Sequence, residues 1–466
     1  DERAYSGADQ SEEDQWTGLQ QTGKCVCNEI TIQQDNEYRG ANYLLASLVV
    51  ILQAITLLAT VISSRSGGCD GGMKKVILSL ALGTFGLGMA EFGIMGVLTE
   101  LAHNVGISIP AAGHMISYYA LGVVVGAPII ALFSSRYSLK HILLFLVALC
   151  VIGNAMFTLS SSYLMLAIGR LVSGFPHGAF FGVGAIVLSK IIKPGKVTAA
   201  VAGMVSGMTV ANLLGIPLGT YLSQEFSWRY TFLLIAVFNI AVMASVYFWV
   251  PDIRDEAKGK LREQFHFLRS PAPWLIFAAT MFGNAGVFAW FSYVKPYMMF
   301  ISGFSETAMT FIMMLVGLGM VLGNVLSGRI SGRYSPLRIA AVTDFIIVLA
   351  LLMLFFFGGM KTTSLIFAFF CCAGLFALSA PLQILLLQNA KGGELLGAAG
   401  GQIAFNLGSA VGAYCGGMML TLGLAYNYVA LPAALLSFAA MSSLLLYGRY
   451  KRQQAADSPV LAKPVG

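Results

Sequence analysis

Two ionisable residues lie inside long apolar stretches, where a charge is costly. Glu91 falls within residues 76–98 and Arg170 within residues 163–189. An ionisable group at bilayer depth costs about 2.5 to 3.5 kcal/mol on insertion scales, so such groups usually face a water-filled cavity on an ion or substrate path. A carboxyl there can bind and release a proton, and a guanidinium nearby supplies a fixed positive charge. The pair predicts proton chemistry; the alternatives are a structural glutamate and an arginine that extends outward to the interface.

The composition is that of a helical membrane protein. The 466 residues are 57% hydrophobic and 11% charged, and apolar runs of about 20 residues recur along the chain. The net charge of +7 is spread over short loops and forms no nucleic-acid-binding patch. The seven cysteines show no metal or disulfide spacing. Without a phosphate-binding, metal or Ser/His/Asp motif, the sequence predicts no enzyme, no cofactor and no metal.

Residues 1–72 differ from the rest of the chain. A polar, acidic stretch (1–40), an apolar run (41–63) and a glycine-rich link (66–72) precede Met73-Lys74-Lys75, which resembles a bacterial membrane-protein start. Taken literally, this is an additional membrane anchor. With one consistent choice of codons, however, residues 1–31 can be read in a shifted frame as a peptide that ends in a stop. That peptide resembles the C-terminal end of a bacterial SMC-like exonuclease subunit, so we expect residues 1–72 to be translated upstream DNA.

Twelve apolar spans follow Met73. They are residues 76–98, 111–132, 141–160, 163–189, 197–222, 229–250, 274–297, 306–327, 338–358, 363–387, 395–422 and 428–447. Most loop lysines and arginines fall on one side of the alternating topology, and Arg229 and Lys361 fall on the other. This bias predicts a bacterial inner-membrane protein with both ends of the chain from Met73 in the cytoplasm. A basic linker (251–273) separates two six-helix halves (73–250 and 274–448), and a cytoplasmic tail follows (449–466).

The two halves repeat one another at a fixed spacing. Arg136 and Arg333 lie in similar loops, SSRYSLK and SGRYSPL, and are offset by 333 − 136 = 197 residues. The same offset pairs Gly106-Ile107-Ser108 with Gly303-Phe304-Ser305 and Gly126 with Gly323. Chance similarity between membrane loops is the alternative, but three matches at one offset favour a true repeat.

Several motifs together resemble the major facilitator superfamily, in its twelve-span drug:proton antiporter branch. Glu91-Phe92 is similar to the signature of the first span, and Arg170-x-x-x-Gly174 to an arginine motif that the family links to proton transfer. The fifth span is similar to the antiporter glycine–proline motif, at a different spacing. Its residues are Gly207, Gly215, Pro217 and Gly219. The resemblance implies an all-α fold with two pseudo-symmetric six-helix halves and a site between them.

The loop after the second span departs from the family pattern. Arg136 and Lys140 keep the basic charges, but Ser135 stands where the family has an aspartate. The acid and the arginines of this loop latch the cytoplasmic gate in the family. We expect Arg136, Lys140 and Arg333 to act in gating; a purely topological role is the alternative.

The resemblance implies export of a small molecule in exchange for protons, with Glu91 as the proton site and Arg170 as its electrostatic partner. Substrates would be a sugar or sugar derivative such as arabinose, or an amphipathic drug-like compound. The candidates for the substrate cavity are His177, Asn212, Phe291, Tyr293, Gln402 and Asn406. Asp344 and Lys295, nearer the ends of their spans, are expected to be anchors. The expected partners are substrate, protons and lipid, without nucleic acid, for a monomer. A proton-coupled importer and a non-transporting sensor or scaffold are the alternatives.

A chain that begins at Met73 should insert and function like the full chain, because residues 1–72 have no partner in the repeat. The measurement compares the membrane yield and the activity of the two chains. Failure of the shorter chain to insert, or loss of an activity that the full chain retains, would contradict this expectation.

Overall fold

Among the described residues, twelve helices are long and apolar enough to cross a membrane. Three are interrupted, and α5 contains a π-helical turn (Ala211–Gly215). They are α1 (Gly71–Val105), α2 (Ile109–Phe133), α3 (Leu139–Leu159), α4 (Tyr163–Gly174 and Pro176–Ile191), α5 (Val197–Val210 and Ile216–Glu225), α6 (Trp228–Trp249), α7 (Pro271–Phe291 and Val294–Phe300), α8 (Met309–Ile330), α9 (Pro336–Phe357), α10 (Lys361–Ala377 and Ser379–Asn389), α11 (Glu394–Thr421) and α12 (Ala430–Ala456). The prediction of twelve spans is confirmed.

The computed structural model describes residues 49–50, 52–60, 71–133, 137–193, 196–254, 266–331, 333–390 and 394–456. The chain divides into two compact units, residues 1–55 and 56–466. Within the first unit, residues 49–50 and 52–55 are described, and they are helical. Arg136 and most of residues 1–72 lie outside the described residues, so the expectations for them stay expectations.

The repeat seen in the sequence has a structural counterpart at two pairs of helix ends. Gly106 and Gly303 end the first helix of each half with φ of +72° and +69°, a conformation that favours glycine. Ser138 and Ser335, also 335 − 138 = 197 residues apart, cap α3 and α9 by accepting a bond from the backbone N–H three residues on. The two halves therefore have the same local features at corresponding helix ends: a glycine with positive φ and a serine cap.

Proline accounts for several helix interruptions. A proline cannot donate a backbone hydrogen bond and its ring crowds the preceding turn, so a helix kinks or restarts there. α4 restarts at Pro176, and the π-turn of α5 lies directly before Pro217. α10 restarts at Ser379, two residues before Pro381. Two buried polar residues lie at these breaks: His177 follows Pro176, and Asn212 is in the π-turn.

α1 lies at the centre of its half. Of its most apolar 18 residues 94% are buried, against 39% to 67% in the other eleven spans. α1 therefore has little surface left for lipid, and a polar residue at its middle faces protein. The halves meet through α2 against α11 and α5 against α8, and the Ser117 hydroxyl donates to the Ala410 carbonyl across this boundary at 2.9 Å.

The paired glycines of the repeat should be essential for helix packing. A Cβ at Gly126 would lie 2.0 Å from the Phe175 carbonyl oxygen, and one at Gly323 would lie 1.9 Å from the Ala373 oxygen. Because backbone cannot yield as a side chain does, Gly126→Ala and Gly323→Ala should each cost about 1 to 3 kcal/mol. Thermal unfolding in detergent would show both variants to be less stable.

Two other helical glycines serve as matched controls. A Cβ at Gly182 or Gly328 would meet nothing within 4 Å. Alanine at either position should be neutral or stabilising by up to about 1 kcal/mol, because glycine is the weaker helix former. Equal losses in all four variants would contradict the packing argument.

Candidate functional site

Three polar side chains lie in a row inside the N-terminal half, and we name them the Glu91–His177–Tyr119 chain. Glu91 on α1 is 4% exposed, and its Oε2 lies 3.6 Å from Nε2 of His177 at the start of the second segment of α4. The other ring nitrogen, Nδ1, is 2.8 Å from the hydroxyl of Tyr119 on α2. Tyr119 and His177 are fully buried, so three helices bring these groups together away from bulk solvent.

The chain has two arrangements with a neutral histidine, and they differ by one proton, which is bound in the first and released in the second. In the first, protonated Glu91 points its proton at Nε2, Nδ1–H donates to the Tyr119 oxygen, and the tyrosine donates to the Leu87 carbonyl at 3.4 Å. In the second, Glu91 is ionised and faces Nε2–H, while the Tyr119 hydroxyl turns to donate to Nδ1. Glu91 Oε2 and His177 Nε2 have no hydrogen-bond partner among the described residues. A small approach between them, or one bridging water, would complete the relay.

Arg170 holds the helices around this chain. Its Nη1 donates to the Ala90 carbonyl at 2.7 Å and its Nε to the Met115 carbonyl at 3.2 Å. The guanidinium lies 4.4 Å from the centre of the Tyr119 ring, a favourable cation–π arrangement. No nitrogen of Arg170 lies within 4.0 Å of a Glu91 oxygen. Arg170 thus binds the residue next to Glu91 rather than its carboxyl, and it is fully buried rather than extended to the interface.

The glycine–proline segment of α5 packs directly on α1. A Cβ at Gly207 would lie 1.9 Å from the Ala81 carbonyl oxygen, and one at Gly215 would lie 2.5 Å from the Met89 side chain. Gly219 lies against Thr231 of α6, and Pro217 follows the π-turn. Asn212 is in that turn, fully buried, and neither atom of its amide group has a partner among the described residues. The segment brings an unsatisfied amide to the boundary with α8, where Gly317 contacts its backbone.

A small cavity of about 70 Å³ lies in the C-terminal half. Gln402 lines it together with Thr280, Asn284 and Gln383. Asn406, one turn further along α11, is buried and donates to the Gln402 carbonyl at 2.9 Å.

The aromatic candidates have packing contacts instead. Phe291 is fully buried, and its ring centre lies 6.3 Å from that of Phe92. Tyr293 donates to the Ala413 carbonyl at 2.9 Å and fills the space beside Gly113 of α2. Neither residue lines the cavity at Gln402.

The two described loop residues show no gating contact with each other. The Lys140 ammonium lies 5.0 Å from the centre of the Tyr247 ring at the end of α6, and Arg333 is exposed. Arg136, the third member of the predicted set, lies outside the described residues.

A charged cluster joins the two halves at the opposite end of the bundle from the cavity. Lys295, which follows the first segment of α7, is fully buried and pairs with Glu100 at the end of α1. A second carboxylate, from Glu306 before α8, lies 3.7 Å from the same ammonium. We name Glu100, Lys295 and Glu306 the latch. Gln224 of α5 adds to it by accepting from the Thr310 hydroxyl at 3.0 Å.

Two of these features could not be identified from the sequence in advance. Tyr119 was not predicted; its one signal is a tyrosine pair within an otherwise apolar span. The latch was missed because Lys295 and Glu100 are 195 residues apart, and their charges look like ordinary helix-end charges.

Comparison with known proteins agrees with this architecture. The chain is 98% identical over 394 residues to "Putative transporter AraJ" of Escherichia coli (strain K12), which covers 84% of this chain and 100% of that protein. It is 32% identical over 377 residues to "Inner membrane transport protein YdhP" of the same strain, which covers 81% of this chain and 96% of that protein.

Solved structures share the fold at low sequence identity. A D-xylose-proton symporter superposes with a TM-score of 0.65 at 16% identity, over 80% of this chain and 96% of that one. A bacterial homologue of the human lysosomal transporter Spinster, in an inward-facing, unoccupied conformation, gives 0.60 at 16% identity, over 84% and 100%. Residues 80–404 match the family described as Major Facilitator Superfamily. The chain belongs to that superfamily of transporters.

Proposed function

We propose that the chain exports a small molecule across the bacterial inner membrane in exchange for protons. The observation that carries this proposal is the buried Glu91–His177–Tyr119 chain, which can hold or release one proton. Such groups within a membrane helix bundle are costly and are typical of proton paths. The proposed substrates are a sugar or sugar derivative such as arabinose, or an amphipathic drug-like compound.

The arrangement of the halves supports alternating access. The latch joins them at one end, while the cavity at Gln402 lies toward the other. Rocking of one half against the other would break the latch. A proton can bias this equilibrium only if it binds the two conformations with different affinity. Glu91 meets that requirement if it is dry in one conformation and hydrated in the other.

A proton-coupled importer is the second candidate. A D-xylose-proton symporter is among the solved structures with this fold, although 16% identity supports the fold alone. The direction of movement in inverted and right-side-out vesicles distinguishes export from import. Proton flux that depends on an added substrate distinguishes either transporter from a sensor or scaffold.

Glu91→Gln should abolish transport driven by a pH gradient. Glutamine imitates the protonated acid in shape and charge, so the fold and substrate exchange should survive while net proton coupling is lost. Tyr119→Phe should weaken coupling less, because it removes one hydroxyl but leaves Glu91 and His177 in place. The measurement is flux in proteoliposomes, with arabinose and the fluorescent cation ethidium as first probes and hits from a metabolite screen thereafter.

The matched control is Glu225→Gln, at the exposed end of α5. It makes the same chemical change outside the buried chain and should keep wild-type coupling. Wild-type coupling in Glu91→Gln would remove this residue from the mechanism.

Lys295→Met should open the latched end of the bundle. Removing one member of a buried ion pair leaves the other without its counter-charge, which typically costs about 3 to 5 kcal/mol. Ser223, buried beside the latch, is a suitable reporter. Maleimide labelling of Ser223→Cys should accelerate at least about tenfold when Lys295→Met is added, since tenfold needs only about 1.4 kcal/mol.

Lys361→Met is the control for charge alone. Lys361 is exposed at the same end of the bundle, and its ammonium lies over the Phe304 ring rather than between the halves. Labelling should not change in this variant. Equal labelling rates with and without Lys295→Met would refute the latch.

A further inference from the structure

Asp344 is a buried acid in the C-terminal half that the proposed mechanism does not use. It lies 344 − 336 = 8 residues inside α9 (Pro336–Phe357) and is 1% exposed. The expectation that it anchors a helix end is wrong, because an anchor must reach the interface. Four helices meet beside this carboxyl. A Cβ placed on Gly283 of α7 would lie 3.3 Å from Oδ1 of Asp344, 3.4 Å from Leu378 of α10 and 3.5 Å from Ala440 of α12.

No described group compensates a negative charge at Asp344. The titratable residues on the elements packed against α9 are Lys361, Cys371 and Cys372 on α10, and Tyr426, Tyr428, Tyr447, Arg449, Tyr450, Lys451 and Arg452 before or on α12. The segments of α7 and α10 nearest the cavity, Pro271–Phe291 and Ser379–Asn389, carry none. Neither carboxyl oxygen of Asp344 has a hydrogen-bond partner or an ion pair among the described residues. A bare carboxylate in such a site is strongly disfavoured, so this conformation favours the carboxylic acid.

Gly283 and Leu378 lie between Asp344 and the cavity. Gly283, which lies beside the carboxyl, precedes Asn284, which lines the cavity and whose Oδ1 has no hydrogen-bond partner among the described residues. Leu378 lies against Gly283 and also lines the cavity. It stands at the break between the two segments of α10, where the helix can change direction. A movement at this break would let water from the cavity reach Asp344.

We propose that Asp344 is a second proton-binding site, which exchanges its proton with the cavity through the gap beside Gly283 and Leu378. The inference rests on the proposed proton-coupled transport and assigns a coupling group to the C-terminal half. The step is a simple exchange: the carboxylic acid gives its proton to a cavity water and regains one when that water is hydronium. In this conformation Asp344 holds its proton. In the hydrated conformation it can release that proton.

Infrared difference spectroscopy of the purified full chain in nanodiscs tests this without a substrate. Among the carbonyl stretches of protonated carboxyls, one band should belong to Glu91 and one to Asp344, and both should titrate with pH. Glu91→Gln should remove one band and Asp344→Asn the other. A band that is present but does not change across the pH range would mean a permanently protonated structural acid and would overturn the proposal. Absence of any band assigned to Asp344 would overturn it as well.

A second variant keeps the test decisive if Asp344→Asn does not fold. Gly283→Ala places a methyl group 3.3 Å from Oδ1 and leaves the carboxyl itself intact. It should shift the frequency and the titration midpoint of the Asp344 band only. An unchanged band would contradict the route beside Gly283.

Flux measurements separate this inference from the proposed function. Asp344→Asn should lower the number of protons moved per substrate while transport continues. If Glu91→Gln retains full coupling and Asp344→Asn abolishes it, the Glu91 proposal fails and the Asp344 proposal stands. If the Asp344 band does not titrate while Glu91→Gln loses coupling, the Asp344 proposal fails and the Glu91 proposal stands.

Discussion

Arg170 carries a charge that it cannot lose, and it lies where water does not reach. A guanidinium remains protonated in proteins, so its burial is tolerable only where acceptors are already in place. The Ala90 and Met115 carbonyls and the face of Tyr119 provide them, from α1 and α2. One side chain of α4 therefore fixes the spacing of three helices. Loss of the guanidinium would leave both carbonyls with their helical hydrogen bonds but would remove the link that joins α1, α2 and α4.

The position of Glu91 follows from this constraint. The Ala90 carbonyl cannot bind Arg170 unless α1 presents that turn to α4, and the same rotation brings Glu91 to His177. Tyr119 joins both systems, because its ring lies under the guanidinium while its hydroxyl reaches His177. The electrostatic influence of Arg170 on Glu91 is thus exerted at longer range than an ion pair. A more distant positive charge can favour the ionised form of Glu91 without fixing the residue in that form. This matters because a proton site must both bind and release its proton.

The sequence was sufficient for the number of spans, their approximate bounds and the internal repeat, since each depends on local hydropathy or on matched residues. It also identified Glu91 and Arg170, because charge inside an apolar span is conspicuous. It could not place His177 against Glu91 or Lys295 against Glu100, since hydropathy gives the length of a helix but not its rotation about its own axis. Asp344 shows the same limit: nearness to a predicted span end suggested an interfacial anchor, whereas the helix bounds and packing bury it completely.

The two halves share their helix ends and close-packed glycines, yet their polar interiors differ. The offset of 197 that equates Gly126 with Gly323 equates Glu91 with Phe288 (91 + 197) and Arg170 with Phe367 (170 + 197). The C-terminal half thus lacks the pair that organises the N-terminal one, and its buried acid is on α9 instead of α7. The cavity at Gln402 lies in this half, which has no arginine at the position that corresponds to Arg170. Packing symmetry and chemical asymmetry are compatible because the glycine contacts fix the distances between helices, while polar side chains decide where water and charge are stable. Two halves with similar helix packing and different buried polar groups can therefore rock against one another, and water can reach different groups in each of the two conformations.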